Sequence, residues 1–190
     1  MESEIMEQKE PIAEINRLLL LAGLNDQQLN MLNMLGYFGQ PASKGHHLNG
    51  YGGLAAHSVN VTRRLVKLTS ALGVKWPRAE SPYLVGMLHD LVKCRCYKFN
   101  KEVDGFPTWD YIQPIYPGHG ACSAAIAAEI GINLKRDEIV AITFHIGMFG
   151  VSKEYSMEEF NAALQWHGAQ VIATHTADWY AARVDESGVK

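Results

Sequence analysis

The sequence has few cysteines, no long apolar run and no excess of positive charge. Its cysteines are an odd, sparse set without the spacing of a disulfide framework; they are Cys94, Cys96 and Cys122. The longest apolar stretch, 18–24, is far shorter than the roughly 20 residues that a membrane-spanning helix needs. The formal charge of −3 argues against a protein that binds nucleic acid through a general basic surface, although a local basic groove stays open.

The N-terminal residues, Met1 to Glu7, are acidic and mixed, unlike a secretory signal or a transit peptide. Together with the sparse cysteines, this predicts a cytoplasmic protein with no membrane partner. The 190 residues are 47% apolar, which is enough to bury a sizeable core in one domain. We expect residues 1–10 to be a frayed tail and residues 11–190 to form a single helical domain.

Apolar residues recur at helical spacing along most of the chain, and this pattern predicts an all-α fold. Pro11 suits the first turn of a helix, Asn25 or Asp26 can cap the next one, and Gly73 can end the third. Ser81 and Pro82 can cap and begin the fourth. The predicted helices are 11–22, 26–35, 54–72, one from 81 to beyond 92, 121–130, 137–146, 157–166 and 169–184.

Two segments depart from the helical pattern. Residues 36–53 are rich in glycine and predict an irregular loop. Residues 96–114 carry aromatic side chains on both sides of Asp104-Gly105, which indicates a short β-hairpin or an aromatic lid between helices. Trp109 and Tyr111 in this insert can stack on a base or pack the hairpin against the helices.

The strongest local signal is the stretch 86–93, Gly-Met-Leu-His-Asp-Leu-Val-Lys. Its His89-Asp90 pair is expected in the middle of an apolar helix, with Lys93 one turn on from His89. Burying an imidazole and a carboxylate is unfavourable by several kcal/mol unless something compensates, and a divalent metal is an economical compensation. Taken alone, the pair is equally typical of a core histidine beside an Asp90–Lys93 ion pair.

Further histidines and an aspartate stand in similar apolar surroundings. His57 follows Gly52-Gly53-Leu-Ala-Ala, and Asp178 lies in the last predicted helix. His119 and His145 fall between them, each on or near a different helix. A helical bundle can bring all of these side chains to one point.

This ordered set resembles the HD superfamily of metal-dependent phosphohydrolases. The segment ending in His57 is similar to the first ligand motif of that family, His89-Asp90-Leu-Val-Lys93 to its His-Asp-x-x-Lys signature, and Ala177-Asp178 to its final motif. The resemblance covers about residues 44–184. The glycine run with His46-His47 is similar to the HD domain of bacterial 3′–5′ exoribonucleases in particular.

The resemblance implies an HD-type helical bundle that holds one or two divalent metals. The first metal would take His57, His89, Asp90 and Asp178, and the second would take His119 and His145 with Asp90 as a bridge. Binuclear members often have a His-His pair where this chain has Phe144-His145, a departure that bears on the second metal's coordination. Imidazole and carboxylate ligands without thiolate suit Mn²⁺, Fe²⁺, Co²⁺, Ni²⁺, Mg²⁺ or Zn²⁺.

The implied activity is hydrolysis of a nucleotide or another phosphate ester, RNA ends included, by metal-activated water. Asp90 and Lys93 are the candidate catalytic residues, with Lys93 supplying a point charge to the phosphate. Two alternatives stay open: an HD-fold di-iron oxygenase, and a nucleotide-binding regulatory module without turnover. The sequence fixes neither the substrate nor the oligomeric state.

Several other residues have two interpretations. His46 and His47 can face a substrate or belong to a solvated loop, and His175 can orient a metal ligand or pack in the core. Arg63 and Arg64 can reach a phosphate, but solvated charges are the ordinary case. The Cys-x-Cys at 94–96 lacks the second ligand pair of a structural zinc site and indicates structural thiols.

Overall fold

A computed structural model describes residues 12–113 and 118–187 of the chain. Helices dominate the described residues and are accompanied by one two-stranded antiparallel sheet. The α-helices are α1 Ile12–Leu21, α2 Asp26–Met34, α3 Gly53–Leu72, α4 Ser81–Leu88, α5 His119–Glu129, α6 Arg136–Thr143 and α7 Met157–Tyr180. The strands are β1 Tyr97–Val103 and β2 Phe106–Tyr111. Short 3₁₀ helices span Leu91–Arg95 and Gly147–Gly150, and a π-helical turn spans Ala181–Asp185.

Local sequence signals explain where several helices begin and end. The Asn25 side chain accepts a hydrogen bond from the Gln28 backbone N–H, and the Gln28 side-chain oxygen accepts one from the Asn25 backbone N–H, which makes a capping box for α2. Ser156 caps α7 in the same way. Gly73 ends α3 with a left-handed φ of 63°, a conformation in which glycine is not strained.

The apolar faces of the helices pack into two main clusters. One joins α1 and α2 to α4 and the first half of α3, with Leu19, Leu54 and Leu88 fully buried. The other lies between α3, α6 and α7 and includes Leu65 and Ile142. As a result, the ends of α4, α5 and α6 converge on the sides of α3 and α7.

Two glycines set the closest approaches between these helices. A Cβ at Gly86 of α4 would overlap the side chain and the Cα of Thr62 on α3, so the absence of a side chain at Gly86 lets the two helices come close there. A Cβ at Gly120 of α5 would overlap the carbonyl oxygens of Ile142 and Thr143 at the end of α6. Both glycines lie within three residues of a predicted metal ligand.

The insert predicted at 96–114 forms a β-hairpin over its described part, since residue 114 lies outside the described residues. Asp104 and Gly105 both have positive φ, 51° and 79°, as the two-residue turn of a hairpin requires. Trp109 is only 6% exposed and donates its indole N–H to the Asn49 carbonyl at 2.9 Å. The hairpin therefore packs on the glycine-rich loop.

Two helix predictions need correction. The His89-Asp90 pair is not in mid-helix, because α4 ends at Leu88 and Asp90 has a non-helical φ of −107°. The helix predicted over 137–146 ends at Thr143. The break predicted between the last two helices is confirmed, because α7 is interrupted by non-helical angles at His167, which bonds Asp137 at 2.6 Å.

The predicted tail, residues 1–10, lies outside the described residues. Within 12–113 and 118–187, we find no helix with the length and apolarity needed to cross a lipid bilayer.

Candidate metal centre

The structure brings the six predicted ligand side chains to one place. His57 comes from α3 and Asp178 from α7, while the other four leave helix ends: His89 and Asp90 after α4, His119 at the start of α5, and His145 after α6. A residue at a helix end can reach the cluster with a short side chain, because no further turn of that helix lies between the residue and the cluster. The six come from five different stretches of backbone, so the fold and not any local motif assembles the centre.

Asp90 lies at the middle of the cluster, and its two oxygens face different histidines. Oδ2 lies 3.6 Å from His57 Nε2 and 3.5 Å from His89 Nε2. Oδ1 lies 2.5 Å from His119 Nε2 and 3.6 Å from His145 Nε2. One carboxylate therefore divides the histidines into two pairs, which is the arrangement a bridging ligand needs.

Asp178 completes the pair formed by His57 and His89. Its Oδ1 lies 3.1 Å from His57 Nε2 and 3.8 Å from His89 Nε2. Two ligands about 2.1 Å from one tetrahedral metal are about 3.4 Å apart, so these separations match donors that share an ion. The group His57, His89 and Asp178 and the group His89, Asp90 and His145 each have ligand atoms within 4.8 Å of one another. These buried groups can hold a metal ion.

The histidine rings are oriented by hydrogen bonds from their far nitrogens. His89 donates its Nδ1 proton to the Gly86 carbonyl at 2.9 Å, and His145 donates to the Ile142 carbonyl at 2.7 Å. Each bond fixes the tautomer and turns the Nε2 lone pair toward the cluster. Among the described residues, His89 Nε2 is a buried atom with no hydrogen-bond partner. An orphaned imidazole nitrogen beside two carboxylates fits a metal ligand.

Glu186 belongs to the candidate centre, and the sequence interpretation missed it. It is buried, and its carboxylate accepts from His57 Nδ1 at 3.0 Å and from the Asn60 side-chain amide at 3.0 Å. It thus orients His57 as the backbone carbonyls orient His89 and His145. No local signal marked it, because Glu186 follows the π-helical turn that ends α7 and meets a partner on α3.

His47 also joins the centre, whereas the sequence left its role open. Its Nε2 lies 3.6 Å from Glu186 Oε2, and its ring centroid lies 5.2 Å from that of His57. His47, His57 and Glu186 form a third group of potential ligand atoms. His57 Nδ1 already donates to Glu186, so we regard this third group as support for His57.

The pKa shifts follow from burial opposed by pairing. Burial alone disfavours the charged form of His57, but hydrogen bonds to Asp178 and Glu186 outweigh it and raise the pKa of His57 to about 10. Burial lowers the pKa of His89 despite the nearby Asp90. The pKa of Asp90 is well below its usual range, because Lys93 and the histidines outweigh its burial. A bound cation would compete with the protons on these side chains.

Lys93 lies at the edge of the centre, in the 3₁₀ helix that follows Asp90. Its Nζ contacts Asp90 Oδ2 at 2.5 Å, and this carboxylate raises the pKa of Lys93 although the side chain is only 13% exposed. The lysine also lines the pocket over the cluster, where a ligand can meet it. Lys93 therefore contacts Asp90 and also lines the pocket.

A pocket of about 730 Å³ opens over the cluster. Five of the predicted ligands line it, together with Lys93, His46 and His47. The remaining wall comes from the end of α7 and the turn after it, including Trp179 and Arg183. The volume is in the range of small-molecule sites.

Other residues singled out in the sequence lie away from this centre. Arg63 pairs with Glu14, and Arg64 pairs with Asp185 and stacks over the Tyr180 ring at 4.2 Å. The cysteines are buried free thiols, and burial raises the pKa of Cys94 to about 12. His175 donates Nδ1 to the His145 carbonyl at 2.8 Å, next to a ligand but not on the cluster.

No family model matches the chain, and comparison with curated proteins and with solved structures gives no significant match.

Proposed function

We propose that the chain is a metal-dependent phosphohydrolase of the HD type, acting on a nucleotide or another phosphate ester, with RNA ends among the candidates. The observation that carries the proposal is the division of the Asp90 carboxylate between two pairs of histidines. The order of the ligands along the chain and the following Lys93 support it. The fold adds support, because the described residues are mainly helical.

The distances support the following ligand roles. His57, His89 and Asp178 would hold one ion together with Asp90, and His119 and His145 would hold a second one on the other oxygen of Asp90. Phe144 packs against Tyr155, with ring centroids 4.6 Å apart, and so supplies no ligand where binuclear members often have a histidine.

A divalent cation, Mn²⁺, Fe²⁺, Co²⁺, Ni²⁺, Mg²⁺ or Zn²⁺, would supply Lewis acidity toward phosphoryl oxygens and lower the pKa of water. The protein's own groups do the positioning. Glu186 keeps the proton on His57 Nδ1, and the backbone carbonyls do the same for His89 and His145. Lys93 leaves Asp90 Oδ2 for a phosphate oxygen and supplies a compact positive charge there.

The test combines metal analysis with a substrate screen. The purified protein is loaded with Mn²⁺, its metal content is measured, and phosphomonoesters and phosphodiesters are screened for hydrolysis. We expect two equivalents per chain and release of phosphate or alcohol. His145→Ala should lower the content to one equivalent, while His167→Ala, which changes a histidine outside the centre, should keep two.

Two results would contradict the proposal in different ways. A single equivalent that is unchanged in His145→Ala would leave a mononuclear enzyme. Oxygen uptake after anaerobic Fe²⁺ loading, with no hydrolysis of any ester under any of these metals, would replace the phosphohydrolase with an oxygenase.

A further inference from the structure

Three aromatic rings form a shelf at the rim of the metal pocket. The aromatic shelf consists of Phe149, His175 and Trp179. The His175 and Trp179 rings lie nearly parallel, 15° apart with centroids 6.2 Å apart, and Phe149 lies 5.9 Å from Trp179. Trp179 follows the predicted ligand Asp178 directly and lines the same pocket.

The shelf is built on a rigid support. The bond from His175 Nδ1 to the His145 carbonyl fixes its ring. Gly147 allows the ring to come this close, because a Cβ there would lie 2.8 Å from it and the φ of 65° favours glycine. His175 therefore backs Trp179 at a fixed position relative to the metal ligands.

The shelf exposes large aromatic surface beside a polar pocket. Trp179 is 50% exposed and Phe149 is 59% exposed. Within the described ranges, the Trp179 indole N–H donates no hydrogen bond, in contrast to Trp109, which is buried and bonded. Of the two interpretations that the sequence left open for Trp109, the structure supports packing, and the ring that is available at the pocket is on α7.

The positively charged side chain of Arg183 lies next to the shelf. Arg183 is one helical turn beyond Trp179, lines the pocket, and makes no hydrogen bond or ion pair with any residue that the structure describes. A flat apolar ring, a guanidinium and a metal centre along one wall match a ligand with a planar heterocycle at one end and a phosphate at the other.

We infer that the aromatic shelf binds the base of a nucleotide, with Trp179 as the stacking residue and Arg183 as a further contact to phosphate. The inference rests on the proposed phosphohydrolase function and narrows its substrates to nucleotides. Stacking of one base on one aromatic ring is expected to tighten binding at least about fivefold.

The test measures binding of two ligands that differ only in the base. Dissociation constants of AMP and ribose 5-phosphate are measured by calorimetry on the Mn²⁺-loaded full chain. We expect AMP to bind at least about fivefold more tightly. Trp179→Ala should abolish this preference without changing the affinity for ribose 5-phosphate, and Trp179→Phe should retain much of it. Arg183→Ala should weaken both ligands by a similar factor.

Trp166→Ala is the matched control, since Trp166 lies on the same helix, is 75% exposed and is outside the pocket. It should keep the preference for AMP. Equal affinity of the wild-type protein for both ligands would overturn the base shelf and leave the phosphate site standing. An equal loss of both ligands in Trp179→Ala and Trp179→Phe, with metal content unchanged, would overturn stacking too. Failure of both ligands to bind the metal-loaded wild type would overturn the phosphate site itself.

Discussion

Two buried carboxylates in this protein have opposite surroundings. Glu138, at the start of α6, is fully buried and accepts from Arg78 Nε at 2.7 Å, Arg78 Nη2 at 2.8 Å, Ser81 Oγ at 2.7 Å and the Lys135 backbone N–H at 2.7 Å. Asp90 is also buried, but three of the four imidazole nitrogens around it lie 3.5 to 3.6 Å away.

The difference separates a structural charge from a candidate metal ligand. The Glu138 oxygens are saturated by protein donors at hydrogen-bond distance, so the protein alone satisfies this charge. Around Asp90, Lys93 and His119 lie at hydrogen-bond distance, but the separations from the other three histidines exceed a hydrogen bond and suit ligands that share an ion. His89 Nε2 is orphaned. Burial and a lowered pKa are common to both carboxylates and do not distinguish them. The distances do.

The largest effect is expected for Asp90→Asn. The amide cannot bridge two cations, so we expect metal retention and turnover to be lost together. Elemental analysis after gel filtration and a phosphatase assay measure the two. The change should leave the fold intact by circular dichroism, since the side chain keeps its size. A variant that retains both metals would show that Asp90 is not the bridge.

Glu138→Gln should lower the stability of the fold and leave the metal content unchanged, which is the reverse of what we expect for Asp90→Asn. It leaves the Arg78 guanidinium without its partner, and we expect the free energy of unfolding to fall by about 3 kcal/mol, since Arg78 is partly exposed and a fully buried pair loses 3–5. Urea denaturation measures the loss. The metal content should stay at the wild-type value, and a drop in it would undo the distinction between the two carboxylates.

The same substitution changes the pH dependence of stability. Arg78 and its neighbours lower the pKa of Glu138 below its ordinary value of 4.5, so the pair stabilises the fold above that pH. This contribution is lost as the pH falls through the lower folded-state pKa. The Glu138→Gln variant should therefore lack that part of the acid sensitivity, which urea titrations between pH 7 and 3 would detect.

Lys93→Ala tests the proposed contact between this lysine and the substrate phosphate. We expect the metals to stay and the rate to fall on the order of 10²-fold, the effect of removing one preorganised charge. Lys93→Arg should rescue little if a compact charge is required. If Lys93 only pairs with Asp90, the variant will instead lose metal affinity or stability, with a normal rate per bound metal.

Glu186→Gln tests the support of His57. The amide can still accept from His57 Nδ1 but no longer bears a charge, so we expect metal affinity to weaken by roughly 10-fold or somewhat more. Competition with a chromophoric chelator measures it. Asn60→Asp, which changes the other partner of Glu186, serves as the companion variant and should weaken binding through repulsion. Unchanged affinity in Glu186→Gln would remove the supporting role given to Glu186.

Much of the centre could be predicted from residue type and order. His57, His89 and Asp178 are polar residues in apolar helical stretches, which is a visible anomaly in a sequence. The break after α4 was not visible, because Leu91 and Val92 are buried and continue the apolar pattern past the point where the helix stops. The hairpin was predicted, since its turn residues act locally.

Glu186 and the aromatic shelf were missed for a different reason. Their roles depend on how α7 and the π-helical turn at Ala181–Asp185 present side chains to other helices, and no local pattern encodes that. The same limit applied to Trp109, whose partner, the Asn49 carbonyl, is 60 residues away in sequence.

The glycine contacts described at Gly86 and Gly120 have a consequence for ion selection. Because these glycines have no side chain, α4 lies close to Thr62 of α3 and α5 lies close to the end of α6, which sets the spacing of His57 from His89 and of His119 from His145. An added methyl group at either glycine would push these segments apart and widen one half of the candidate centre. A wider half would suit a larger ion, so a single methyl group would alter which cation fits while every ligand residue is kept.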